Sequence, residues 1–409
     1  MQNYILGLDI GSQSVKGIVA ERKKNGQLAL IKILKMPSAG IRRGIVDDLA
    51  EATRSVNQLL AEVKQVSKGA LKNIYLSVGS ADFRSQPSKG IVAVSRADSE
   101  IHHDDVDRAI EASQALKLPP NRMIVHSVTK EFIVDDIDGV TDPLGMIGNR
   151  LEVNSLIIDA FSPVIKNLTR CVESAGGSVS SLIFSPLAAS RSILSKTQKD
   201  LGVALIDIGF GKTSLCVYEE NKIIHTAVFP IGSGSATNDL AIGLKTSIPV
   251  ADSIKLTLGS AMAKEVPARE MIDMRKFDAA AKNTISRRFI AEILEVRLAE
   301  ILEFVNNELK RVGKSSRLPA GAVLVGGGAK MPGIVDLAKQ ELRLGAQIGI
   351  PNAAEFEINS SELMGQAEDP DLACAFGLAL WGGDRENSEA APGFFLTEFI
   401  KKIFKSFIP

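Results

Sequence analysis

One turn is written twice in this chain, and that repetition limits what the chain can fold into. Near the start, Leu6-Gly7-Leu8-Asp9-Ile10-Gly11-Ser12-Gln13-Ser14-Val15-Lys16 reads as a buried strand, a tight polar turn and a second strand. Midway, Ala204-Leu205-Ile206-Asp207-Ile208-Gly209-Phe210-Gly211-Lys212-Thr213-Ser214 repeats the pattern. Each copy places an Asp at the end of an apolar run, follows it with Gly and polar residues, and then resumes a β-type run. Glycine admits the sharp turn and lets a ligand approach the main chain. The turn amides can then point at an anion. Two such turns face to face would grip a polyphosphate from both sides, with each Asp near a metal ion.

A third glycine cluster fits the same picture. Ala322-Val323-Leu324-Val325 is a short buried strand, followed by Gly326-Gly327-Gly328-Ala329, then Met331-Pro332-Gly333 and a helix. Glycine-rich strand-to-helix turns are common where a nucleotide lies against bare backbone. Each loop taken singly is more often just a turn. The ordered set of three is the signal. It is neither a dinucleotide-binding fingerprint nor a P-loop, because no G-x-G-x-x-G and no G-K-[ST] is present.

A length of 409 residues predicts more than one domain. Formal net charge is zero, so no global field draws the chain to nucleic acid. The three cysteines, Cys171, Cys216 and Cys374, have no paired spacing, which suits a reducing compartment. The four histidines show no metal-ligand spacing. No run of about 18 apolar residues is present to span a bilayer, and no signal peptide is expected at the N-terminus.

Strands are predicted at about Tyr4–Ile10, Val15–Glu21 and Leu28–Leu34, and over Asn73–Gly79. Leu49, Ala52, Val56, Leu59, Leu60, Val63 and Val66 recur at helical spacing. Residues 82–159 read as a strand-rich insertion with one helix at Asp104–Leu118, capped by Asp104 or Asp105. Further helices are expected after Pro163 and over Pro186–Leu194. Pro249 to about Val312 reads as largely helical, its last stretch presenting Phe289, Ile293, Val296, Ile301, Phe304, Val305 and Leu309 as an apolar face. Gly383–Pro392 is polar and aperiodic, and reads as a linker.

The last segment, Gly393–Pro409, holds five of the sixteen phenylalanines. On a helix, Phe395, Phe399, Ile400, Ile403, Phe404 and Phe407 share a broad face, with Lys401, Lys402 and Lys405 on or beside the other. Such a helix spans about 25 Å at 1.5 Å per residue, and three lysines oppose crossing a bilayer. Lying in the interface fits better: aromatics sink between headgroups and lysines meet anionic lipid. The plainer alternative is a terminal helix docked on the protein's own core.

At the two Asp turns and the glycine triplet, the chain resembles the actin, sugar-kinase and heat-shock-chaperone ATPase superfamily. Within it, the chain is most similar to the FtsA family of bacterial cell-division proteins. Asp142-Pro143-Leu144-Gly145-Met146-Ile147-Gly148-Asn149-Arg150, Thr237-Asn238-Asp239-Leu240-Ala241, Asp252-Ser253-Ile254-Lys255 and the terminal segment carry that match. The resemblance implies an α/β, actin-like fold, with two duplicated α/β domains around a nucleotide cleft. It places the first core at 1–81 and 160–200, the family's inserted subdomain at 82–159, and the second core at 201–238 and 316–382. A helical subdomain follows at 239–315, a linker at 383–391 and an amphipathic helix at 392–409.

It also implies roles. Asp9 and Asp207 would hold Mg2+ through water, since magnesium keeps several waters, and Asp207 is the candidate catalytic carboxylate. Gly11, Ser12, Gln13, Ser14 and Lys16 would face the phosphates of ATP from one side, and Gly209, Phe210, Gly211, Lys212 and Thr213 from the other. Asp252 and Lys255 would contact the ribose, Gly326, Gly327, Gly328 and Met331 the adenosine, and Arg297 would flank the base. Ser185 stands where chaperone relatives carry a Glu that orients the attacking water, so hydrolysis is expected to be slow or absent. The partners implied are the C-terminal peptide of FtsZ, met by Lys282, Arg287 and Arg288, further copies in a filament, anionic membrane and later division proteins. The place implied is the cytoplasmic face of the cell membrane at the septum, with peripheral attachment. The runner-up readings are an actin-like scaffold of type IV pilus assembly and, from another class, a metabolic kinase.

Overall fold

The duplicated turns sit at the same place in two sheets of the same order. In the computed structural model, which describes residues 4–385 apart from 96, 280 and 282, strand Tyr4–Ile10 pairs antiparallel with Ser14–Arg22. Strand Val203–Ile208 pairs in the same way with Thr213–Glu219. A third antiparallel strand follows each hairpin, Leu28–Pro37 in one sheet and Lys222–Phe229 in the other. On its other side each first strand takes a parallel neighbour, Ile74–Val78 or Ala322–Val325, and then a second, Val179–Phe184 or Ala346–Ile348. Phe356–Glu357 extends the first sheet at the outer edge of Leu28–Pro37. The strands read as nearly unbroken apolar runs because both faces are covered, and Leu6, Leu8, Ala204 and Ile206 are fully buried.

Helix Leu49–Val66 lies on the first sheet through Ala52, Val56, Leu59, Leu60 and Val63, as its spacing predicts. Asp48 caps it by accepting from the Glu51 amide at 3.0 Å. Between Arg84 and Phe161 the chain builds a separate antiparallel sheet of four strands. Helix His103–Gln114 covers it, and Val106, Ile110, Phe132, Leu151 and Val153 form a core of its own. Asp105 accepts from the His102 amide at 3.1 Å, so it caps from inside the helix, which begins one residue earlier than expected. The helix ends at Gln114, short of the expected Leu118. Pro119 and Pro120 follow closely, and residues before proline avoid the helical region.

Residues 249–312 are largely helical, as expected, but the helix is interrupted: helix Ile248–Leu258 stops at Gly259, and a short hairpin of Met271–Asp273 with Thr284–Ser286 precedes the long helix Arg287–Arg311. A side chain at Gly259 would collide with the Lys255 carbonyl, so only glycine fits where the chain leaves the helix. The long helix carries two apolar stripes, and the one rich in Leu and Ile faces inward. Ile290, Leu294, Leu298, Leu302 and the expected Ile301, Val305 and Leu309 are buried. Phe289 and Phe304 are 43% exposed and Val296 is 72% exposed. Finally, helix Ala373–Arg385 runs past Gly383, where the linker was expected to begin. The Arg22 guanidinium donates to the carbonyls of Gly382 and Gly383, and Arg191 pairs with Asp384 at 2.7 Å, which holds the last turn. The rest of the expected linker and the whole amphipathic segment lie outside the described residues.

Helix Ser185–Ile193 and helix Ala373–Arg385 meet backbone to backbone at one point. Gly377 lies so close to Ala188 that an added Cβ would collide with the Ala188 carbonyl. Gly7 has the same relation to Ala375, which seats the last helix on the first sheet.

Candidate functional site

The two turns close with the same hydrogen bond. The Gly11 amide donates to the Ser14 carbonyl at 3.0 Å, and the Gly209 amide to the Lys212 carbonyl at 3.0 Å. Asp9 stands opposite Lys16 in the first hairpin, and Asp207 opposite Ser214 in the second. The turns face each other: a Cβ on Gly211 would lie 2.7 Å from Ser12 Oγ. Between them is a cavity of about 70 Å3, lined by Asp9, Ser12, Lys16, Asp207, Lys212 and Gly326 among others. That is small beside the roughly 300–1,000 Å3 usual for ligand pockets. A nucleotide held between the turns would require a wider gap than this.

The carboxylates are set unequally. Asp9 accepts from Ser77 Oγ at 2.6 Å and lies 3.7 Å from Lys16 Nζ. Asp207 makes no side-chain hydrogen bond or ion pair among the described residues. Burial pushes its pKa up to about 6, against the pull of Lys16 and Lys212. Gly326 has φ +85, and a side chain there would strike Asp207 Oδ1, so this glycine meets two demands at once. Two carboxylates at matching register positions, one with a raised pKa, fit a hard cation such as Mg2+, which takes oxygen ligands and keeps several waters.

Lys16 is buried and committed to protein. Burial opposes its charge, but Asp9, Asp371 and Asp207 hold its pKa above the usual lysine range. Asp371 Oδ1 lies 2.6 Å from Lys16 Nζ, and Asp371 Oδ2 lies 2.6 Å from Lys35 Nζ. Burial would raise the Asp371 pKa, yet the two lysines, Lys16 foremost, bring it down to about 2. Sequence reasoning missed Asp371. Its Asp369-Pro370-Asp371 setting reads as a helix start, and Asp369 does accept from the Asp371 amide at 3.0 Å. Its partner Lys16 is 355 residues away in the chain.

Lys212 reaches from the second turn to the first half, where its ammonium donates to the Gly79 carbonyl and to Ser185 Oγ at 3.2 Å. Ser185 is buried as the first residue of its helix. Gln13, Ser14, Gly209, Phe210 and Gly327 also line the cavity. Thr213 does not, because its hydroxyl donates to the Ile231 carbonyl at 2.9 Å.

The expected ribose pair forms beside the cavity. Lys255 Nζ is 2.7 Å from Asp252 and donates to Thr237 Oγ1 at 2.6 Å, which in turn donates to Asp252 at 3.0 Å. Thr237 completes this triad. Lys255 also lies 5.4 Å from the centroid of the Phe210 ring, tying the pair to the second turn. Gly328 presses on Ile208, and Met331 lies against Gly259. Arg297 is held by Asp239 at 2.9 Å and by Glu300, so its charge is already paired. Arg287 is paired with Glu270 at 3.1 Å, and Arg288 donates twice to the Val266 carbonyl at 3.0 and 2.8 Å. Both hold the loop before the long helix. Lys282 lies outside the described residues.

Comparison with known proteins gives this geometry a family. A model described as "Cell division protein FtsA" matches residues 204–377, and a model of the SHS2 domain inserted in FtsA matches residues 80–159. A cell division protein FtsA of Pseudomonas aeruginosa is 32% identical over 94% of this chain and 90% of its own length. One of Bacillus subtilis is 37% identical over 85% of this chain and 78% of its own. Among solved structures, a PilM-PilN type IV pilus biogenesis complex shares the fold, with a TM-score of 0.66 and 18% identity over 93% of this chain and 98% of that one. MreB5 of Spiroplasma citri bound to ADP does so with a TM-score of 0.55 and 14% identity over 95% of this chain and 99% of that one. The fold is α/β and actin-like, with an inserted SHS2 domain, and the chain belongs to the FtsA family of cell division proteins.

Proposed function

We propose that the chain binds ATP with Mg2+ in the cleft between the two turns, assembles with its own copies, and anchors FtsZ filaments to the cytoplasmic membrane at the septum, where it recruits later division proteins. The observation that carries the nucleotide reading is the pair of Asp turns, closed by one hydrogen bond in both copies and set face to face. The actin-like neighbours from Spiroplasma citri, solved with ADP and with AMPPNP, support it through the shared fold. In this reading Asp9 and Asp207 hold Mg2+, the turn amides cradle the phosphates, Asp252 and Lys255 take the ribose, and Gly326–Met331 lies against the adenosine. Mg2+ would supply charge neutralisation between the phosphates and the two carboxylates. The pilus-scaffold and kinase readings rest on fold alone. Saturating Mg-ATP is expected to raise the thermal midpoint by several degrees, since a ligand at about 100 times its Kd adds about 2.7 kcal/mol. An unchanged midpoint would remove the nucleotide from the proposal.

The partner face is proposed on the helical side of the second half. Phe289, half-buried Ile293 and exposed Val296 recur at helical spacing on the long helix. The neighbouring helix Ser233–Leu244 touches Ile293 at Gly243 and adds exposed Ile242. An apolar stripe left outside a helix that already buries another is a docking feature for a peptide with apolar and acidic residues. Val296→Asp is expected to weaken FtsZ-peptide binding at least about tenfold, from the loss of apolar burial. Its thermal midpoint should hardly move, because the site is exposed. Equal affinity of the variant and the parent would place the contact elsewhere. Reversing Arg287 and Arg288 is a poorer test, since both hold backbone.

A further inference from the structure

We infer that Lys212 is the group by which this cleft tells a nucleoside triphosphate from a diphosphate. The inference rests on the nucleotide reading above. Two lysines line the cavity. Lys16 is neutralised by Asp371 at 2.6 Å and by Asp9 at 3.7 Å. Lys212 has no carboxylate within 4.0 Å among the described residues; its ammonium rests on two neutral oxygens, the Gly79 carbonyl and Ser185 Oγ. An anion entering the cleft therefore gains most from Lys212, whose charge no carboxylate pairs, and exchanges neutral acceptors for a charged one.

The direction of the cleft places the terminal phosphate there. The Asp252–Thr237–Lys255 triad lies on the second half, outside the cavity lining and beside Phe210, and on the nucleotide reading it takes the nucleoside. Gly79 and Ser185 follow the first-half strands Ile74–Val78 and Val179–Phe184, on the other half from the triad. The second turn spans the distance between them: Phe210 lies under Lys255, and two residues on Lys212 reaches Ser185. The amides of both turns serve phosphates that a diphosphate and a triphosphate share. Only the added phosphoryl group extends to Lys212. Because Lys212 crosses from one half to the other, its transfer from protein oxygens to phosphate oxygens also ties the ligand to the contact between the halves.

The test is calorimetric titration of the full-length protein with Mg-AMPPNP and Mg-ADP. The parent is expected to bind AMPPNP more tightly. Lys212→Gln should lose about 10- to 100-fold in AMPPNP affinity, as for a charge-assisted hydrogen bond, and less than about threefold in ADP affinity. Lys212→Arg keeps the charge and should keep the preference, which guards against a Gln variant that fails to fold. Equal losses for both nucleotides, no loss for either, or an Arg variant without the preference overturns the inference. A parent that binds both nucleotides alike also overturns it but leaves the nucleotide site standing. A parent that binds neither removes the site and the inference together.

Discussion

Asp207→Asn is expected to abolish Mg-ATP binding and at the same time to stabilise the nucleotide-free protein at neutral pH. The two effects have one cause. Burial lifts the Asp207 pKa from 3.8 to about 6, so the native state holds this proton more tightly than the unfolded chain does. Stability from this group is then greatest below about pH 4 and is lost as pH rises towards 6. At pH 7 the carboxylate is ionised and unpaired. The shift sets a ceiling of about 3 kcal/mol on what neutralising it could return. The carboxylate opens onto the cleft and has Lys16 and Lys212 nearby, so a gain on the order of 1–2 kcal/mol is expected. Magnesium bound there as proposed would reverse the balance, because a cation would pair the charge that the fold leaves alone. The asparagine variant should therefore lose at least about 100-fold in Mg-ATP affinity, as for a charged hydrogen-bonding partner removed from a buried site. In the parent protein, the midpoint gain from Mg-ATP should shrink as pH falls through 6. Thermal scans of both proteins from pH 5 to pH 8, with and without Mg-ATP, test both signs. An asparagine variant that melts earlier without nucleotide, or gains as much from Mg-ATP as the parent, would refute this account of Asp207.

Removing Gly393–Pro409 is expected to abolish sedimentation with anionic vesicles and to leave nucleotide binding unchanged. The apolar positions Phe395, Phe399, Ile400, Ile403, Phe404 and Phe407 recur at helical spacing beside Lys401, Lys402 and Lys405. Among the described residues, no helix is long and apolar enough to cross a membrane; in the proposed function this terminal segment would supply the attachment. Each Phe or Ile contributes roughly 1.5–3 kcal/mol at full burial. Insertion at an interface is partial, and ordering the segment opposes it. One segment should thus hold lipid weakly. A filament presenting many of them gains avidity of about 10²–10⁴ with no new contact. Phe399→Asp with Phe404→Asp should mimic the deletion by putting charge on the apolar face. Vesicle pelleting by the truncated protein, at the level of the parent, would end this assignment.

The turns and the helix Leu49–Val66 were legible because their information is local. A Gly after an Asp at a strand end, or a 3.6-residue apolar period, needs no knowledge of the rest of the chain. The pairing of Lys16 with Asp371 was not legible, because nothing near either residue refers to the other. The same holds for Lys212, which reads as one more phosphate-facing cation until its contact with Gly79 and Ser185 is seen. The long helix failed for a different reason. Its sequence offers two apolar stripes, and periodicity alone cannot say which faces the sheet. Thr213 sits in a turn where a hydroxyl invites a phosphate role, yet the Ile231 carbonyl satisfies it.

The two turns make a site from like halves, but a nucleotide has unlike ends. Symmetry must break somewhere, and among the five matched positions at which the turns differ, two exchange a charge. The first turn places Ser14 and then Lys16 two residues on; the second places Lys212 and then Ser214. Serine and lysine have traded places. One lysine is thereby drawn back along its strand into the grip of Asp371, while the other stands forward at the lip of its turn. A strictly repeated site would hold a symmetric anion equally well either way round. The exchanged pair gives the cleft a polarity, and a nucleotide bound there as proposed would meet unlike charges at its two ends.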